Sequence, residues 1–465
     1  MAKSEEQQKA GQIESVIEYA RARLSPEQRD QAEPLLRAYY AEVDPEELSE
    51  RSVADLYGAA LAHLKFARRF SFGAPKIRVY NPVFAEHGWQ STHTAVEIVN
   101  DDMPFLVDSV IMEANRLGLT LHLMIHPVLR VRRDDTGNLI EFNPASGRER
   151  GRLESFIHME VDRRSDRDTL QLLEDGIIRV LGDVRLAVED WEKMAHRIAV
   201  ATAEAEKQGA PDEPEQAREE LEFLRWLGDQ HFTFLGSRTY DLAKEGGEDV
   251  LRIVPGSGLG ILRESRRTVS TSFASLPPQA RERARAKELL ILTKANARAT
   301  VHRPGYLDYV GVKRFDAAGE VIGETRFLGL YTSAAYHANP ADIPLLRRKV
   351  RGVLARAGLL PGSHSEKALI TILESYPRDE LIQVPLDVLY EHAMGILRLG
   401  ERQRTRLFLR RDVYGRFISC LIYVPRENYN TELRIRMQSM LRQAFNGAAT
   451  EFTVHLSESV LARIH

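Results

Sequence analysis

The sequence contains a single cysteine, Cys420, among 465 residues, and this scarcity excludes two classes of protein. A small secreted domain held together by disulfides needs several cysteines, and a zinc site built on thiolates needs more than one. A long apolar run is also missing. The least polar long stretch, residues 117–129, carries two histidines and is too short to cross a bilayer. We therefore expect no disulfide framework, no thiolate metal site and no membrane span.

An excess of charge of either sign is missing as well. The chain has 64 Lys and Arg residues against 67 Asp and Glu residues, which gives a formal net charge of −3. Binding to nucleic acid or to an anionic membrane through the overall field requires a clear positive excess, so we expect neither partner. Residues 1–16 lack the apolar core of a secretory signal, which favours a cytoplasmic protein.

What is present is the composition of an ordinary globular protein, with 43% hydrophobic and 28% charged residues. The length predicts about three domains. The patterns of proline, glycine and charge predict an α+β, multidomain protein with the following regions: an N-terminal helical region (1–90), a ferredoxin-like βαββαβ domain (91–206), a linker rich in proline, glycine and charge (207–218), an α+β domain built on an antiparallel β-meander (219–340), a helical segment (341–403) and the start of a second ferredoxin-like domain, which we interpret as truncated (404–465).

The region 91–206 has the clearest pattern. A β-rich run at 93–99 leads through a polar turn into a predicted helix at 105–117. Strand-like runs follow at 119–131 and 153–161, and a long amphipathic helix begins at Arg167 and extends to Ile198. This order supplies five of the six elements of a βαββαβ unit, and the last strand is not evident from the sequence.

The polar turn in front of the predicted helix 105–117 is the one local candidate for a binding site. The first amides of a helix lack partners and its dipole favours negative charge, so a small anion such as an amino acid could bind there. The alternative, which the residue types favour, is that one of the two aspartates simply caps the helix. The candidate residues are Asn100, Asp101, Asp102, Met103, Pro104 and Phe105.

Two motifs that suggest nucleotide chemistry lack the context that this chemistry needs. The glycine-rich stretch 256–260 is followed by Ile261, where the dinucleotide fingerprint requires a third glycine, and no long helix opens after it. Tyr309 and Lys313 have the spacing of a dehydrogenase pair on a helix, but the residues between them favour a strand. We therefore assign no cofactor-binding residue and expect a turn and a strand.

The remaining reactive side chains also have structural explanations. His122 and His126 lie in a predicted strand without a third ligand at a suitable spacing, so we expect half-buried histidines and no metal site. Cys420 lies in an apolar strand with no neighbour that would activate a thiol. The basic cluster at 347–356 alternates with aliphatic residues as in a solvated amphipathic helix. We assign no catalytic residue.

Several stretches of the sequence resemble the large bacterial NAD-specific glutamate dehydrogenases. They follow one another in order along nearly the whole chain from about residue 35, and they are HGWQSTHTAVEIVNDDMPFLVDSV (87–110), LHLMIHPVLRVRRD (121–134), HFTFLGSRTY (231–240), GSGLGILRE (256–264), LTKANARATVHRPGYLDYVGVKRFD (292–316), ETRFLGLYTSAAY (324–336), ILESYPRDEL (372–381) and RRDVYGRFISCLIYVPRENYNTELR (410–434). The resemblance implies that 91–206 and 404–465 are ACT-like and that 219–340 is PAS-like.

Members of that family are several times longer, and their catalytic domain, with the NAD site, lies downstream of the matched region. The resemblance therefore implies an N-terminal regulatory or oligomerisation segment of an enzyme of amino-acid catabolism that converts L-glutamate, NAD and water to 2-oxoglutarate, ammonia and NADH. The segment itself is expected to be inactive and to hold no cofactor. Its expected partners are the downstream catalytic domain, further copies of the chain and an amino-acid effector.

One departure from the family pattern concerns the candidate turn. ACT modules that bind amino acids commonly have Asp-x-Pro-Gly-Leu at this point, and here Phe105 replaces the glycine that permits close backbone approach. We therefore expect the fold of the module to be retained, whereas this departure argues against retention of the effector site. A different class of function, a stand-alone ACT/PAS-type small-molecule sensor or scaffold protein, remains the alternative.

Overall fold

The computed structural model describes residues 5–142, 151–208, 214–263, 269–272, 281, 284–457 and 459–465. The chain forms two compact units. The first consists of Met1–Glu189 together with Arg298–Gly305, and the second of Asp190–Ala297 together with Tyr306–His465.

The first unit is a layer of helices, a six-stranded antiparallel sheet and two further helices. Its helices are α1 (Glu5–Arg21), α2 (Pro26–Tyr40), α3 (Pro45–Ser49), α4 (Val53–Ala67), α5 (Phe84–His87), α6 (Leu106–Arg116) and α7 (Arg167–Glu189). Its strands are β1 (Lys76–Tyr80), β2 (Thr94–Asp101), β3 (Leu121–Ile125), β4 (Val128–Arg133), β5 (Leu139–Phe142) and β6 (Arg152–Val161). The sheet order is β1-β2-β6-β4-β5, and β3 also pairs with β6.

The N-terminal helices begin at residue types that are typical of helix caps. Ser25 forms a capping box at the start of α2, and Asp44 accepts a hydrogen bond from the Glu46 amide at the start of α3. Ser52 caps α4 in the same way through the Asp55 amide. These short polar side chains replace the partners that the first helical amides lack.

The ferredoxin-like pattern is present, and the strand that the sequence did not reveal comes from upstream. The segment β2-α6-β3-β4-β6-α7 follows the predicted order, and β1 pairs antiparallel with β2 at the edge where a final strand would lie. The prediction of one continuous strand over 119–131 is wrong. It divides at His126-Pro127 into β3 and β4, since proline has no amide hydrogen to continue the ladder.

The prediction of a single long helix from Arg167 to Ile198 is also wrong. The helix α7 ends at Glu189, and a new helix, α8 (Trp191–Gln208), begins after Asp190. Asp190 is buried, and its carboxylate accepts hydrogen bonds from the Gly260 amide and from Arg263 within the second unit. A buried carboxylate requires such partners, and the hydrogen bonds fix the chain at the break.

The two faces of the first sheet carry different helices. Val99 packs with Leu35 and Ala67 of the α1–α4 layer, and Ala95 packs with Ala59 of the same layer. Side chains alternate along a strand, so the residues between them point to the opposite face, where α6 and α7 pack. Polar side chains on the face beneath α1–α4 are thus enclosed between sheet and helices.

The second unit begins with α8 and α9 (Pro214–Trp226) and continues with a seven-stranded sheet. Its strands are β7 (Phe232–Glu245), β8 (Glu248–Ile253), β9 (Leu259–Gly260), β10 (Val269–Ser272), β11 (Leu290–Arg298), β12 (Tyr306–Phe315) and β13 (Val321–Tyr331), in the order β10-β8-β7-β13-β12-β11 with β9 beside β7. The pairs β7–β8, β7–β13 and β12–β13 are antiparallel, as predicted for this region.

Helices then lead to a smaller sheet. The helices are α10 (Ser333–His337), α11 (Leu346–Ala357), α12 (His364–Ser375), α13 (Arg378–Gln383) and α14 (Leu386–Leu399). The last elements are β14 (Arg406–Arg411), β15 (Ile418–Pro425), α15 (Thr431–Ala444), β16 (Val454–Leu456) and β17 (Leu461–Ile464). Gly358 ends α11, and Pro377 and Pro385 precede the first residues of α13 and α14.

The small sheet repeats the topology of the first one. Its order is β14-β15-β17-β16, so a leading strand again flanks the strand that enters the helix. Asn430 caps α15 by accepting a hydrogen bond from the Leu433 amide, and β17 is a strand that the sequence did not reveal. Of the predicted linker 207–218, residues 209–213 lie outside the described residues and residues 214–218 belong to α9. The run Gln279–Lys287, whose residue types favour a helix, falls mostly outside the described residues.

Candidate functional sites in the first unit

Asn100 and Asp101, at the start of the predicted effector turn, are held by the protein itself. Both are buried at the end of β2. One guanidinium nitrogen of Arg185 on α7 donates to Asn100 Oδ1 at 3.2 Å and to Asp101 Oδ2 at 2.5 Å. The Gly73 amide also donates to Asp101 Oδ2, at 3.1 Å. Asp101 therefore anchors α7 to the end of β2.

Asp102, the aspartate nearer to the helix, points to the neighbouring strand. Its Oδ1 accepts a hydrogen bond from Ser155 Oγ at 2.7 Å, and His126 Nε2 lies 3.1 Å from the same hydroxyl. Burial lowers the pKa of His126, with the Asp102 charge acting in the opposite direction. Met103 is half-buried and Pro104 is exposed. Arg185 thus holds the side chains of Asn100 and Asp101, whereas Ser155 holds that of Asp102.

Phe105 occupies the N-cap position of α6, with φ 73° and ψ 2°, and provides no side-chain hydrogen bond to the helix. The expectation that Asp101 or Asp102 caps this helix is therefore wrong. The left-handed backbone favours glycine at this position, because a side chain is disfavoured in this conformation. The Phe105 ring lies 4.9 Å from the His302 ring, and the His302 amide donates to Ser109 Oγ at 3.0 Å.

The histidines at 122 and 126 do not meet. His122 Nε2 contacts Asp162 Oδ1 at 2.8 Å, and its ring stacks on the His93 ring at 4.1 Å. His122 lies in β3 as predicted, whereas His126 follows the strand. Among the residues that the structure describes, no group of three or more His, Cys, Asp or Glu side chains is placed to hold a metal ion.

The two dehydrogenase-like motifs have the structural roles expected of them. Gly260 has φ 59°, and an added Cβ would lie 2.1 Å from the Leu235 carbonyl oxygen, so the glycine permits close packing of β9 on β7. Tyr309 and Lys313 lie in the strand β12. The Tyr309 hydroxyl donates to Glu324 Oε1 at 2.6 Å.

A cavity of about 820 Å³ lies between the sheet of the first unit and the α1–α4 layer. Its polar end is formed by Arg51, Ser91, His93, His158 and Glu160. His158 and Glu160 come from the middle and end of β6, where they are almost completely buried. Sequence reasoning missed this site.

Glu160 is the charged centre of the polar end. Its Oε2 accepts a hydrogen bond from Ser91 Oγ at 2.9 Å and lies 3.4 Å from an Arg51 nitrogen and 3.3 Å from His93 Nδ1. Burial by itself raises the pKa of this carboxyl, but His158, Arg51 and Ser91 outweigh burial and lower it to about 2. Glu160 is therefore ionised throughout the physiological range.

His158 lies between two buried carboxylates without a hydrogen bond to either. Its Nδ1 is 3.9 Å from Glu97 Oε1 and its Nε2 is 3.5 Å from Glu160 Oε1, and neither ring nitrogen has a hydrogen-bond partner. Glu97 is satisfied elsewhere, because Arg78 Nε donates to it at 2.8 Å and the Tyr80 hydroxyl at 2.7 Å. A fully buried imidazole without a partner is uncommon, and a bound ligand is one explanation.

The signal that could have revealed this site is the alternation within β6. Glu154, His158 and Glu160 occupy the same face of a strand whose other positions are largely apolar. Charged residues on a buried strand face need partners, so this stripe predicts a polar cluster under any covering layer.

The two ferredoxin-like modules lie in the N-terminal and C-terminal parts of the chain. Comparison with known proteins identifies the family to which they belong. Domain models of glutamate dehydrogenase match the chain in three places: the ACT1 domain at residues 35–177, helical motif 1 at 343–402 and the ACT2 domain at 406–465. The ACT1 match includes β1, the strand that completes the first sheet.

Three curated proteins similar to the chain are each named NAD-specific glutamate dehydrogenase. The protein from Halomonas elongata is 40% identical over 475 residues, which cover 99% of this chain and 29% of that protein. The protein from Pseudomonas aeruginosa is 40% identical over 92% of this chain and 26% of its own length. The protein from Mycobacterium tuberculosis is 31% identical over 80% of this chain and 22% of its own length. The chain belongs to the glutamate dehydrogenase family that these domains define.

The chain thus spans less than a third of the length of the curated relatives that it matches. Among the described residues, no helix combines the length and apolar character that a membrane crossing demands.

Proposed function

We propose that this chain is a regulatory and oligomerisation segment, without catalytic residues of its own, of an NAD-dependent glutamate dehydrogenase. The observation that carries the proposal is the succession of ACT1, helical motif 1 and ACT2 along the chain, within 40% identity that covers 99% of it. The whole enzyme converts L-glutamate, NAD and water to 2-oxoglutarate, ammonia and NADH in the cytoplasm. NAD binds to a catalytic domain of the same polypeptide.

The proposal includes the domain plan expected from the sequence, with boundaries near residues 90, 206, 218, 340 and 403. The region 219–340 is assigned as PAS-like. Support comes from the strand order β8-β7-β13-β12-β11, in which the last strand of the region, β13, lies beside the first, β7. The two ACT-like sheets hold further copies of the enzyme together in a homo-oligomer.

An amino-acid effector binds at the turn Asn100–Phe105 in this proposal. The N-cap residue Phe105 gives no side-chain hydrogen bond to the first turn of α6, and a helix N-terminus favours a carboxylate. Arg185 links this turn to α7, so a ligand that moves Asp101 would also act on that helix. This linkage is the route by which the effector signal leaves the module.

The proposal is tested by activity and thermal stability measurements on the 465-residue chain. NADH formation from glutamate and NAD should not exceed the blank, and the melting temperature should not respond to NAD. One L-amino acid should raise the melting temperature, because a ligand at 100 times its Kd adds about 2.7 kcal/mol. The Asp102→Ala variant should lose this response. Turnover by the chain or stabilisation by NAD would contradict the assignment as a non-catalytic segment.

Oligomerisation is tested on the same preparation by sedimentation velocity. We expect a species larger than a monomer at micromolar concentration. A monomer at all concentrations would restrict the role of the chain to regulation.

A further inference from the structure

The loop that joins β11 to β12 packs differently from the strands on either side of it. The strands belong to the second unit, up to Ala297 and again from Tyr306, whereas the loop Arg298–Gly305 belongs to the first unit. Within the loop, Ala299 and Val301 are buried. A connecting loop normally runs over the surface, so burial of its middle indicates that this loop packs as a structural element.

Two hydrogen bonds hold the loop on the helices of the first unit. The Thr300 hydroxyl donates to Asp183 Oδ2 on α7 at 2.7 Å, and the His302 amide donates to Ser109 Oγ on α6 at 3.0 Å. Ser109 is fully buried. Burial also raises the pKa of the Asp183 carboxyl, and the hydrogen bond from Thr300 opposes this effect. Both bonds are thus largely shielded from water, which makes either one costly to break.

Two residues that meet at the start of α6 have a left-handed backbone. They are His302 in the loop, with φ 76°, and Phe105 at the N-cap of α6, with φ 73°, and their ring centroids lie 4.9 Å apart. A residue with a side chain keeps this conformation only where surrounding contacts outweigh its cost, and such residues concentrate in segments that change conformation. The loop and the start of α6 therefore hold each other in a strained form that separation would relax.

The strands on either side of the loop are held firmly within the second unit. Lys294 Nζ on β11 lies 2.6 Å from Asp308 Oδ1 on β12 and 3.0 Å from Asp379 Oδ2 on α13. Asp308 is almost completely buried, and its Oδ2 accepts a hydrogen bond from the Tyr331 amide at 3.3 Å. Only short extended segments separate Lys294 and Asp308 from the loop, so the chain has little slack between the two anchored parts.

We infer that the loop Arg298–Gly305 is a conformational relay between the paired strands β11 and β12 and the start of α6. A shift of the strands pulls on the loop, which α7 and α6 hold at Asp183 and Ser109, and the backbone at Phe105 changes with it. The relay acts in both directions, because a coupling free energy is reciprocal. It depends on the contacts of the loop alone and holds whether or not an effector binds at the turn.

Hydrogen–deuterium exchange of the 465-residue chain, followed by mass spectrometry, tests the relay from the side of the loop. Thr300→Val removes the hydroxyl that donates to Asp183 and keeps the shape of the side chain. We expect exchange in residues 308–315 of β12 to become at least threefold faster, because the strand loses a fixed attachment. Faster exchange that is confined to residues 297–307 would show a local anchor only and would overturn the inference.

Loosening β11 tests the same coupling from the opposite side. Lys294→Met removes the ammonium group that Asp308 and Asp379 share, so exchange in residues 106–112 of α6 should become at least threefold faster. If Lys294→Met does not fold, Asp379→Asn takes its place, because Asp379 is partly exposed and the loss of its charge is a milder change. Exchange in α6 at the wild-type rate in the folded variant would overturn the inference.

Two variants at exposed positions of the second unit are the controls. Thr371→Val removes a hydroxyl on α12, and Arg356→Met removes one partner of an exposed ion pair on α11. Both should exchange like the wild type in α6 and in β12. A control response as large as that of Thr300→Val or Lys294→Met would show that any substitution speeds exchange there, and it would overturn the relay.

The relay and the proposed function fail separately. A melting temperature that responds to no amino acid would refute the effector site at the turn and leave the relay standing. Exchange that changes only within the loop in Thr300→Val would refute the relay and leave the effector site standing.

Discussion

The buried histidine His63 should make the first unit sensitive to mild acid. It lies on α4 with no exposed surface, its Nδ1 2.9 Å from the Tyr39 hydroxyl and its Nε2 3.1 Å from the Ile98 carbonyl oxygen. Burial lowers its pKa from 6.5 to about 4, and the opposing effect of Glu97 is smaller. The neutral imidazole is therefore favoured in the folded state, whereas the unfolded chain takes up a proton near pH 6.5.

The sign and size of the effect follow from proton linkage. The folded pKa lies below the unfolded one, so the contribution of His63 is complete above pH 6.5 and is lost as the pH falls toward 4. At 1.36 kcal/mol per pKa unit the whole loss is about 3 kcal/mol, of which about 2 kcal/mol falls between pH 7 and pH 5.

The assay uses the chain's tryptophans. Replacing Trp191 and Trp226 by phenylalanine leaves Trp89 as the reporter of the first unit. Urea unfolding at pH 7 and pH 5, followed by Trp89 fluorescence, gives the free energy of unfolding at each pH. In His63→Gln, which can still donate to the Ile98 carbonyl but does not titrate, the difference between the two values should be smaller by about 2 kcal/mol.

Comparing the change in unfolding free energy between pH 7 and pH 5 in the variant with that in the wild type removes the contributions of the other titrating groups. His196→Gln, at an exposed position, is the control and should keep the wild-type dependence on pH. If His63→Gln and the wild type lose the same free energy between pH 7 and pH 5, the buried neutral state assigned to His63 is refuted.

Three further variants test other parts of the structure. Arg410→Met should destabilise the second unit by about 3–5 kcal/mol in urea unfolding, because it leaves the buried Glu380 carboxylate unpaired. Arg356→Met, at an exposed ion pair, should cost less than about 1 kcal/mol. Equal losses in the two variants would contradict the assigned burial of the Arg410–Glu380 pair. Burial raises the pKa of Cys420 to about 11, so iodoacetamide at pH 8 should label it about a hundredfold more slowly in the native than in the urea-unfolded chain, as measured by mass spectrometry. Phe105→Gly should be more stable than Phe105→Ala by about 1 kcal/mol in thermal unfolding, since both lose the ring but only alanine keeps the disfavoured backbone; a more stable alanine variant would argue against φ 73°.

The candidate turn shows how far sequence reasoning about a site extends. The sequence located the turn and the helix after it, because proline and an apolar period mark a helix start locally. Residue type favoured an aspartate as the N-cap of α6, whereas the N-cap residue in the structure is Phe105. Asp101 and Asp102 were the better caps by residue type, but Arg185 and Ser155, both distant in the chain, hold them elsewhere.

The cavity around Glu160 is the opposite case, a site that sequence reasoning did not find. His158 and Glu160 stood in a strand that the sequence predicted correctly, and the alternation within that strand places them on one face without showing whether this face is exposed or covered. Their burial depends on α1–α4, which are remote in the chain and cover that face of the sheet. Only the covering layer turns a polar stripe into an enclosed site.

The sequence by itself determined what short-range chemistry controls. Caps at Ser25, Asp44 and Ser52 and the turn at Asp316–Gly319 depend on neighbours in the chain, and the resemblance to glutamate dehydrogenases depends on residue identity alone. Tertiary structure decided the rest. The upstream strand β1 at the edge of β2, the break at Asp190 and the cavity around Glu160 arise from contacts between distant segments, because burial and hydrogen-bond satisfaction are properties of the folded chain and not of any local stretch.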